Sequence, residues 1–321
     1  MHPIRDPEVA AALAVFEQLL PGGLDLSGDI PAARAFLQQL FGAMAAQAPE
    51  IPGVETSDHY APGPEGAPEV MVRVYQPSDR PDTLPALLWI HGGGYVLGSV
   101  AEDDVKAKVM ALQLNCVVAS VEYRLAPEHP FPAGVEDCYA ALKWFVAHAA
   151  DFGVDAARVA IGGASAGGGL AACLGLLTRD RAEIDLAYQL LVYPMLDDRN
   201  VEQAGDGVPD APVWSRANNL AGWRAYLGEE PGGDDVSLYA AAARAEDVSG
   251  LPPTYIGVGT PDLFRDEDFA YAQRLMAAGV PTEFHVYADG FHGFDGFAAE
   301  TDIAKRFVGE QMHLLRQALH G

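Results

Sequence analysis

Apolar residues recur along this chain in two rhythms. Over 7–20 and 31–47 they fall at helical spacing, with Ala33, Phe36, Leu37, Leu40, Phe41 and Met44 forming a stripe in the second segment. Pro21-Gly22-Gly23 breaks the chain between the two predicted helices. Strands are predicted over 54–60 and 69–76, and the short Pro- and Gly-rich link over 61–68 favours antiparallel pairing. From residue 85 short continuous apolar runs alternate with helical stretches. Strand 85–91 precedes helix 102–114, strand 115–121 precedes helix 134–149, and strand 158–162 precedes helix 166–179. Strand 187–193 leads into a long insert, strand 254–259 precedes helix 266–278, and strand 282–287 precedes helix 301–319. Strands that are apolar throughout, each followed by a helix, predict an α/β fold with a mostly parallel sheet covered on both faces. The count is eight strands, the first two at one edge. The stretch 195–250 interrupts the alternation and contains one convincing helix, Arg216–Leu227. So long an excursion inside an α/β domain is usually functional.

Composition narrows the function classes. Half of the 321 residues are hydrophobic, which permits a large core. The net charge of −25 argues against nucleic acid and against anionic membrane surfaces as partners. Cys116, Cys138 and Cys173 offer no disulfide framework and no zinc spacing, and are expected to be buried free thiols. No signal peptide and no transmembrane run is visible, so a cytoplasmic location is expected. His2, His59, His129, His148, His313 and His320 do not cluster as metal ligands, and neither a metal nor another cofactor is expected.

The candidate chemistry sits where strands end. Ligands in open α/β sheets bind beyond the carboxyl ends of the strands. After strand 85–91 come His91-Gly92-Gly93-Gly94-Tyr95, and after 158–162 comes Gly163-Ala164-Ser165-Ala166-Gly167. After 254–259 comes Asp262, and after 282–287 comes His292. A serine between a buried strand and an Ala- and Leu-rich helix, flanked only by small residues, fits a nucleophile elbow. The pentapeptide alone would arise by composition roughly 0.1 times in such a chain. The order Ser…Asp…His along one sheet edge is stronger evidence. In that reading His292 is the general base, and Asp262 orients it. Backbone N–H groups of Gly92, Gly93 and Ala166 receive the oxyanion. Asp266, Glu267 and Asp268 crowd the same region; Asp262 is preferred because it directly follows the strand, whereas first-turn acids complement the helix dipole. His285 lies within the last strand and reads as structural. Trp214, Trp223, Phe36 and Phe41 are expected to pack a cap, and Tyr95, Trp214, Phe291 and Phe41 are candidates for contact with substrate.

From about residue 54 to the end the chain resembles the hormone-sensitive-lipase-like, or bacterial family IV, esterases of the α/β-hydrolase superfamily. The resemblance rests on His91-Gly92-Gly93-Gly94 and on Tyr123-Arg124-Leu125-Ala126-Pro127-Glu128 followed by Phe131-Pro132-Ala133. It rests also on Gly163-Ala164-Ser165-Ala166-Gly167-Gly168, Asp262-Leu263-Phe264-Arg265-Asp266-Glu267 and His292-Gly293-Phe294. Two residues depart from the family habit: Ala164, where Asp, Glu or Thr is common, and Leu263, where Pro is common. The resemblance implies a catalytic core over 49–194 and 246–321, with a cap built from 1–48 and 195–245. It implies a serine carboxylesterase acting on short-chain acyl esters, with amidase or lactonase chemistry on the same triad as the alternative. A non-catalytic small-molecule receptor on this fold would be expected to lack the base, which is present here. A homodimer is expected from the resemblance and from the last strand lying at a sheet edge.

Overall fold

A computed structural model describes residues 4–45, 50–201 and 213–321. Helices α1 (Pro7–Leu19) and α2 (Ile30–Ala45) precede the sheet, which begins with β1 (Val54–Ala61) and β2 (Val70–Pro77). Then follow β3 (Leu84–Ile90), α3 (Asp104–Leu114), β4 (Val117–Glu122), α4 (Ala133–Ala147), β5 (Val154–Ala164) and α5 (Ala166–Arg181). The chain continues through β6 (Tyr188–Val192), α6 (Arg216–Leu227), β7 (Thr254–Gly259), α7 (Arg265–Ala277), β8 (Thr282–Tyr287), α8 (Phe294–Phe297) and α9 (Asp302–His320). The last residues of the helix predicted over 31–47, and the middle of the insert, lie outside the described residues.

The strands form one eight-stranded sheet in the order β1-β2-β4-β3-β5-β6-β7-β8. β1 pairs antiparallel with β2 and β2 with β4, and every other neighbour is parallel. The expected strand count, the edge position of the first two strands and their antiparallel pairing therefore hold. β5 begins at Val154, earlier than its apolar run, because Val154 pairs with Leu84 across a shift in register. α8 was not expected, since four residues are too few to show a period.

Alternation along the central strands feeds two cores. In β3, Leu88 and Ile90 join the cluster that includes α4 and α5, while Leu87 and Trp89 join the one that includes α3 and α9. Both faces are thus buried, which is why the strands read as unbroken apolar runs. α9 closes the second core with Ile303, Phe307, Met312, Leu315 and Leu319 at helical spacing. The three cysteines are buried free thiols. Among the described residues no helix is long and apolar enough to cross a membrane.

Both N-terminal helices reach the α4/α5 core, and α1 reaches the α3/α9 core as well. α1 sends Val9 into the α3/α9 core and sets Phe16 against Phe297 of α8, ring centroids 4.6 Å apart. α2 buries Leu37 in the α4/α5 core, which Phe16 of α1 also joins, with Ala33, Leu40 and Phe41 half-buried around it. Phe36, expected in this stripe, is 58% exposed. It lies at the flank of the face defined by positions 33, 37, 40 and 41, which is all the helix needs to bury. The link between α1 and α2 is tied to α6: Leu26 N–H donates to Asn218 Oδ1 (3.1 Å), and Asn218 Nδ2 donates to the Leu24 carbonyl (2.9 Å).

α7 carries an anomaly. Asp268 is fully buried and neither carboxyl oxygen has a hydrogen-bond partner. Burial, then the neighbouring Glu267 and Asp262, push this carboxyl well above the ordinary Asp range. The folded protein therefore keeps a proton that the unfolded chain releases above about pH 4. A raised folded pKa means stability present at low pH and lost as pH rises. Asp268→Asn removes the linkage. Relative to wild type, its melting temperature should shift upward between pH 5.5 and pH 8.5, as read by calorimetry. A difference independent of pH would contradict the assignment.

Candidate active site

The site is built on a strained turn. Ser165 joins β5 to α5 with φ 57° and ψ −122°, a conformation that costs a non-glycine residue on the order of 1–3 kcal/mol. Its backbone is held on three sides. Ser165 N–H donates to Val192 O (2.8 Å), and Ser165 O accepts from Met195 N–H (3.0 Å) and Gly169 N–H (2.9 Å). A Cβ on Gly167 would collide with the carbonyls of Ile90 and His91, so only glycine lets α5 start this close to β3.

The structure brings Ser165, His292 and Asp262 together. His292 Nε2 lies 2.9 Å from Ser165 Oγ, and His292 Nδ1 lies 2.9 Å from Asp262 Oδ2. All three are buried. A carboxylate can only accept, so Asp262 draws the proton to Nδ1 and leaves Nε2 as acceptor for the serine hydroxyl. The other Asp262 oxygen accepts from Phe264 N–H at 2.9 Å, which fixes the carboxylate plane. The rings of Tyr193 and Phe264 meet His292 edge-on at 4.8 and 5.1 Å between centroids. Behind them Tyr193 donates to Asp295 Oδ1 (2.5 Å), whose other oxygen is 3.3 Å from Lys106 Nζ. The competing acids are engaged elsewhere or buried apart. Asp266 pairs with Arg265, and Glu267 accepts from Leu196 N–H, Asp197 N–H and Asn200. Asp268 is the partnerless carboxyl of α7. His285 sits in β8 between Glu283 and Glu310, away from the triad.

The His91–Leu97 loop runs beside this array. Gly92 packs so tightly against Ser165 that an added Cβ would lie 2.8 Å from Ala164 O and 3.4 Å from Ser165 Cβ. None of the loop and turn hydrogen bonds among the described residues is donated by the N–H groups of Gly92, Gly93 or Ala166. Ala166 also opens α5, so its N–H points out of the helix start, where the dipole favours negative charge. The loop is braced from the core: Tyr123 donates to His91 O (3.0 Å) and stacks on the His91 ring at 4.3 Å. The sequence motif around Tyr123 is itself pinned, since Arg124 forks onto the buried Asp137 at 2.8 and 2.7 Å.

The insert lies directly on the same loop. The Trp214 indole abuts Gly94, where a Cβ would overlap it, and Gly222 of α6 packs against the Gly94 carbonyl. Tyr226 stacks on Tyr95 at 4.0 Å, and Tyr95 donates to Met195 O at 2.8 Å. A polar relay orients the tryptophan: Trp214 Nε1 donates to Asn219 Oδ1 (3.2 Å), Asn219 to Asn200 O (2.7 Å), and Asn200 to Glu267 Oε2 (2.6 Å). Asn200, Asn219 and Tyr226 were not singled out from the sequence; isolated asparagines carry no periodic or motif signal. Phe41 is half-buried in the same cluster as Tyr95 and Trp214. Phe291, expected at the rim of the site, is instead fully buried in the opposite cluster with Phe294 and Phe307. A benzyl group on the loop that carries His292 gains more from that core than from the site mouth.

Comparison with known proteins gives the family. A family model described as alpha/beta hydrolase fold matches residues 87–296. Carboxylesterase NlhH of Mycobacterium tuberculosis is 34% identical over 321 residues, spanning 99% of this chain and 98% of that protein. Esterase LipI of the same organism is 34% identical, spanning 98% and 97%. Among solved structures, a bacterial heroin esterase superposes with a TM-score of 0.93 at 43% identity, covering 99% of both chains. Esterase LipW from Mycobacterium marinum gives a TM-score of 0.86 at 33% identity, covering 100% of this chain and 98% of that one. The chain belongs to the hormone-sensitive-lipase-like carboxylesterases of the α/β-hydrolase superfamily.

Proposed function

We propose that this carboxylesterase hydrolyses short-chain acyl esters through an acyl-enzyme on Ser165, with His292 as base and Asp262 as its orienting acid. The observation that carries the reading is the continuous Asp262–His292–Ser165 hydrogen-bonded line at 2.9 and 2.9 Å. His292 takes the Ser165 proton as Oγ attacks the ester carbonyl, then passes it to the leaving alcohol. Asp262 holds the productive tautomer and balances the imidazolium. The N–H groups of Gly92, Gly93 and Ala166 receive the oxyanion. Water, activated by the same imidazole, then releases the acid. No cofactor enters these steps.

The preference for short acyl chains is supported by the insert, which rests on the Gly94–Tyr95 turn and roofs the space beside it. Trp214 and Phe41 are proposed to wall the acyl pocket, with Tyr95, fully buried beneath Tyr226, supporting that wall from behind and Phe291 supporting the His292 loop from the core. Residues 1–48 and 195–245 act as the cap over a core of 49–194 and 246–321. The buried reduced thiols accord with a cytoplasmic location. A homodimer is proposed through β8, which is an edge strand with Val286, and Phe269 and Met276 of the adjoining α7, about half exposed.

Four measurements test this reading. A fluorophosphonate probe should label wild type and not Ser165→Ala, and p-nitrophenyl esters from C2 to C12 should be turned over best at the short end. Labelling of both proteins, or a preference for C10 and above, would overturn it. Asp262→Asn should lower kcat by up to about 10⁴-fold, while Asp266→Asn stays within about threefold; the reverse ranking in folded proteins would move the acid. Light scattering should return twice the 34.1 kDa chain mass, and a monomer at micromolar concentration would remove the dimer.

A further inference from the structure

We propose that Arg34, on the N-terminal helix α2, is a positioning residue for the oxyanion loop. This rests on the reading that Gly92 and Gly93 supply oxyanion donors. Those donors belong to a turn that is poorly fixed by its own sequence. Gly93 and Gly94 adopt φ of 117° and 60°, and the loop's internal bonds are Val96 N–H and Leu97 N–H to Gly93 O, at 3.1 and 2.8 Å, and a contact of His91 Nδ1 with Gly92 O at 2.9 Å. Glycines in such a turn can take many other conformations, so donors aimed in advance require outside restraint.

Arg34 supplies it. Its Nε donates to Val96 O at 2.6 Å and its Nη2 to Ala126 O at 2.6 Å. Nη1 and Nη2 also fork onto the Glu128 carboxylate at 2.8 and 2.8 Å. The two carbonyls belong to loops that are already stitched together by Ala126 N–H to Tyr95 O, at 3.0 Å. One planar cation therefore clamps the turn to the segment after β4, and Glu128 holds that cation in plane. Only 15% of the Arg34 side chain is exposed, so water competes little for these bonds, and the guanidinium in turn holds the Glu128 carboxyl below its ordinary range. A surface ion pair by itself contributes little. What sets this one apart is that the cation's remaining donors end on main-chain carbonyls. A lysine, with no planar fork, cannot span Val96 O, Ala126 O and both Glu128 oxygens. The same contacts explain the Tyr123–Glu128 motif, which presents the carbonyl and the carboxylate that seat Arg34.

The test uses the full chain with Arg34→Ala, Arg34→Lys and Glu128→Gln, active sites counted with the fluorophosphonate probe, and p-nitrophenyl acetate as substrate. Loosened donors act on the transition state more than on substrate binding. Arg34→Ala should therefore lower kcat per titrated site about tenfold with KM within twofold, short of the roughly 10²–10³ for losing a donor outright. Arg34→Lys should not restore turnover, and Glu128→Gln, which spares both carbonyl bonds, should lose about two- to threefold. Turnover per titrated site within 1.5-fold of wild type in Arg34→Ala, or full rescue by lysine, would overturn the proposal. Should the alanine variant not fold, unchanged turnover in Glu128→Gln would overturn it. Wild type that fails to label at all would instead refute the Ser165 reading, so the two failures are distinguishable.

Discussion

The left-handed backbone of Ser165 is the constraint on which the rest of this molecule depends. A serine does not hold φ 57° unaided, and the neighbouring architecture is what makes it the stable conformation. Val192 at the end of β6 accepts its N–H, and Met195 and Gly169 donate to its carbonyl. These bonds exist only if β5 and β6 pair in their observed register, with Ala164 opposite Val192. The strain at one residue is thus borne by the central sheet. The glycines around it serve the same end: Gly163 and Gly167 bring β5, α5 and the end of β3 within backbone contact, where any side chain would collide.

That turn sets the position of everything else in the site. Parallel strands deliver their following loops to one edge, so the residues after β3, β5, β7 and β8 meet although they lie far apart in sequence. Each arrives with its own support. Asp262 is steadied by Phe264 N–H, His292 by the rings of Tyr193 and Phe264, and Tyr193 by Asp295 and Lys106. The imidazole is thereby held from both cores, by Tyr193 of one and Phe264 of the other. The core that holds Phe264 also carries the His91–Leu97 loop, through Tyr123, Tyr95 and Trp214.

The covering segments are attached by directional polar contacts as well as apolar burial. Asn218 binds the link between α1 and α2, Asn219 and Asn200 connect Trp214 to Glu267, and Arg34 reaches Val96. Apolar packing alone would let these helices slide, since it is non-directional. Hydrogen bonds to particular partners fix their position against the sheet and the His91–Leu97 loop.

The sequence by itself determined the class of fold and the order of the elements, and it pointed to Ser165, His292 and the His91–Gly94 loop as candidates for the site. Each of these follows from local signals: unbroken apolar runs for strands buried on both faces, small residues around Ser165, and a polar residue after each strand end. The choice among Asp262, Asp266, Glu267 and Asp268 was weighted by position but settled as a contact only by the fold. Four carboxylates within seven positions differ mainly in which way their backbone turns. Tertiary structure alone decided that β4 lies between β2 and β3, that Phe291 belongs to the core and Phe36 to the surface, and that α1 bridges both cores whereas α2 buries Leu37 in one. It alone revealed what Asn200, Asn219 and Arg34 hold in place. Such residues act through single hydrogen bonds to partners 19 to 192 positions away, as in Asn219 to Asn200 and Asn218 to Leu26. A bond of that kind leaves no period, motif or composition for a linear reading to detect.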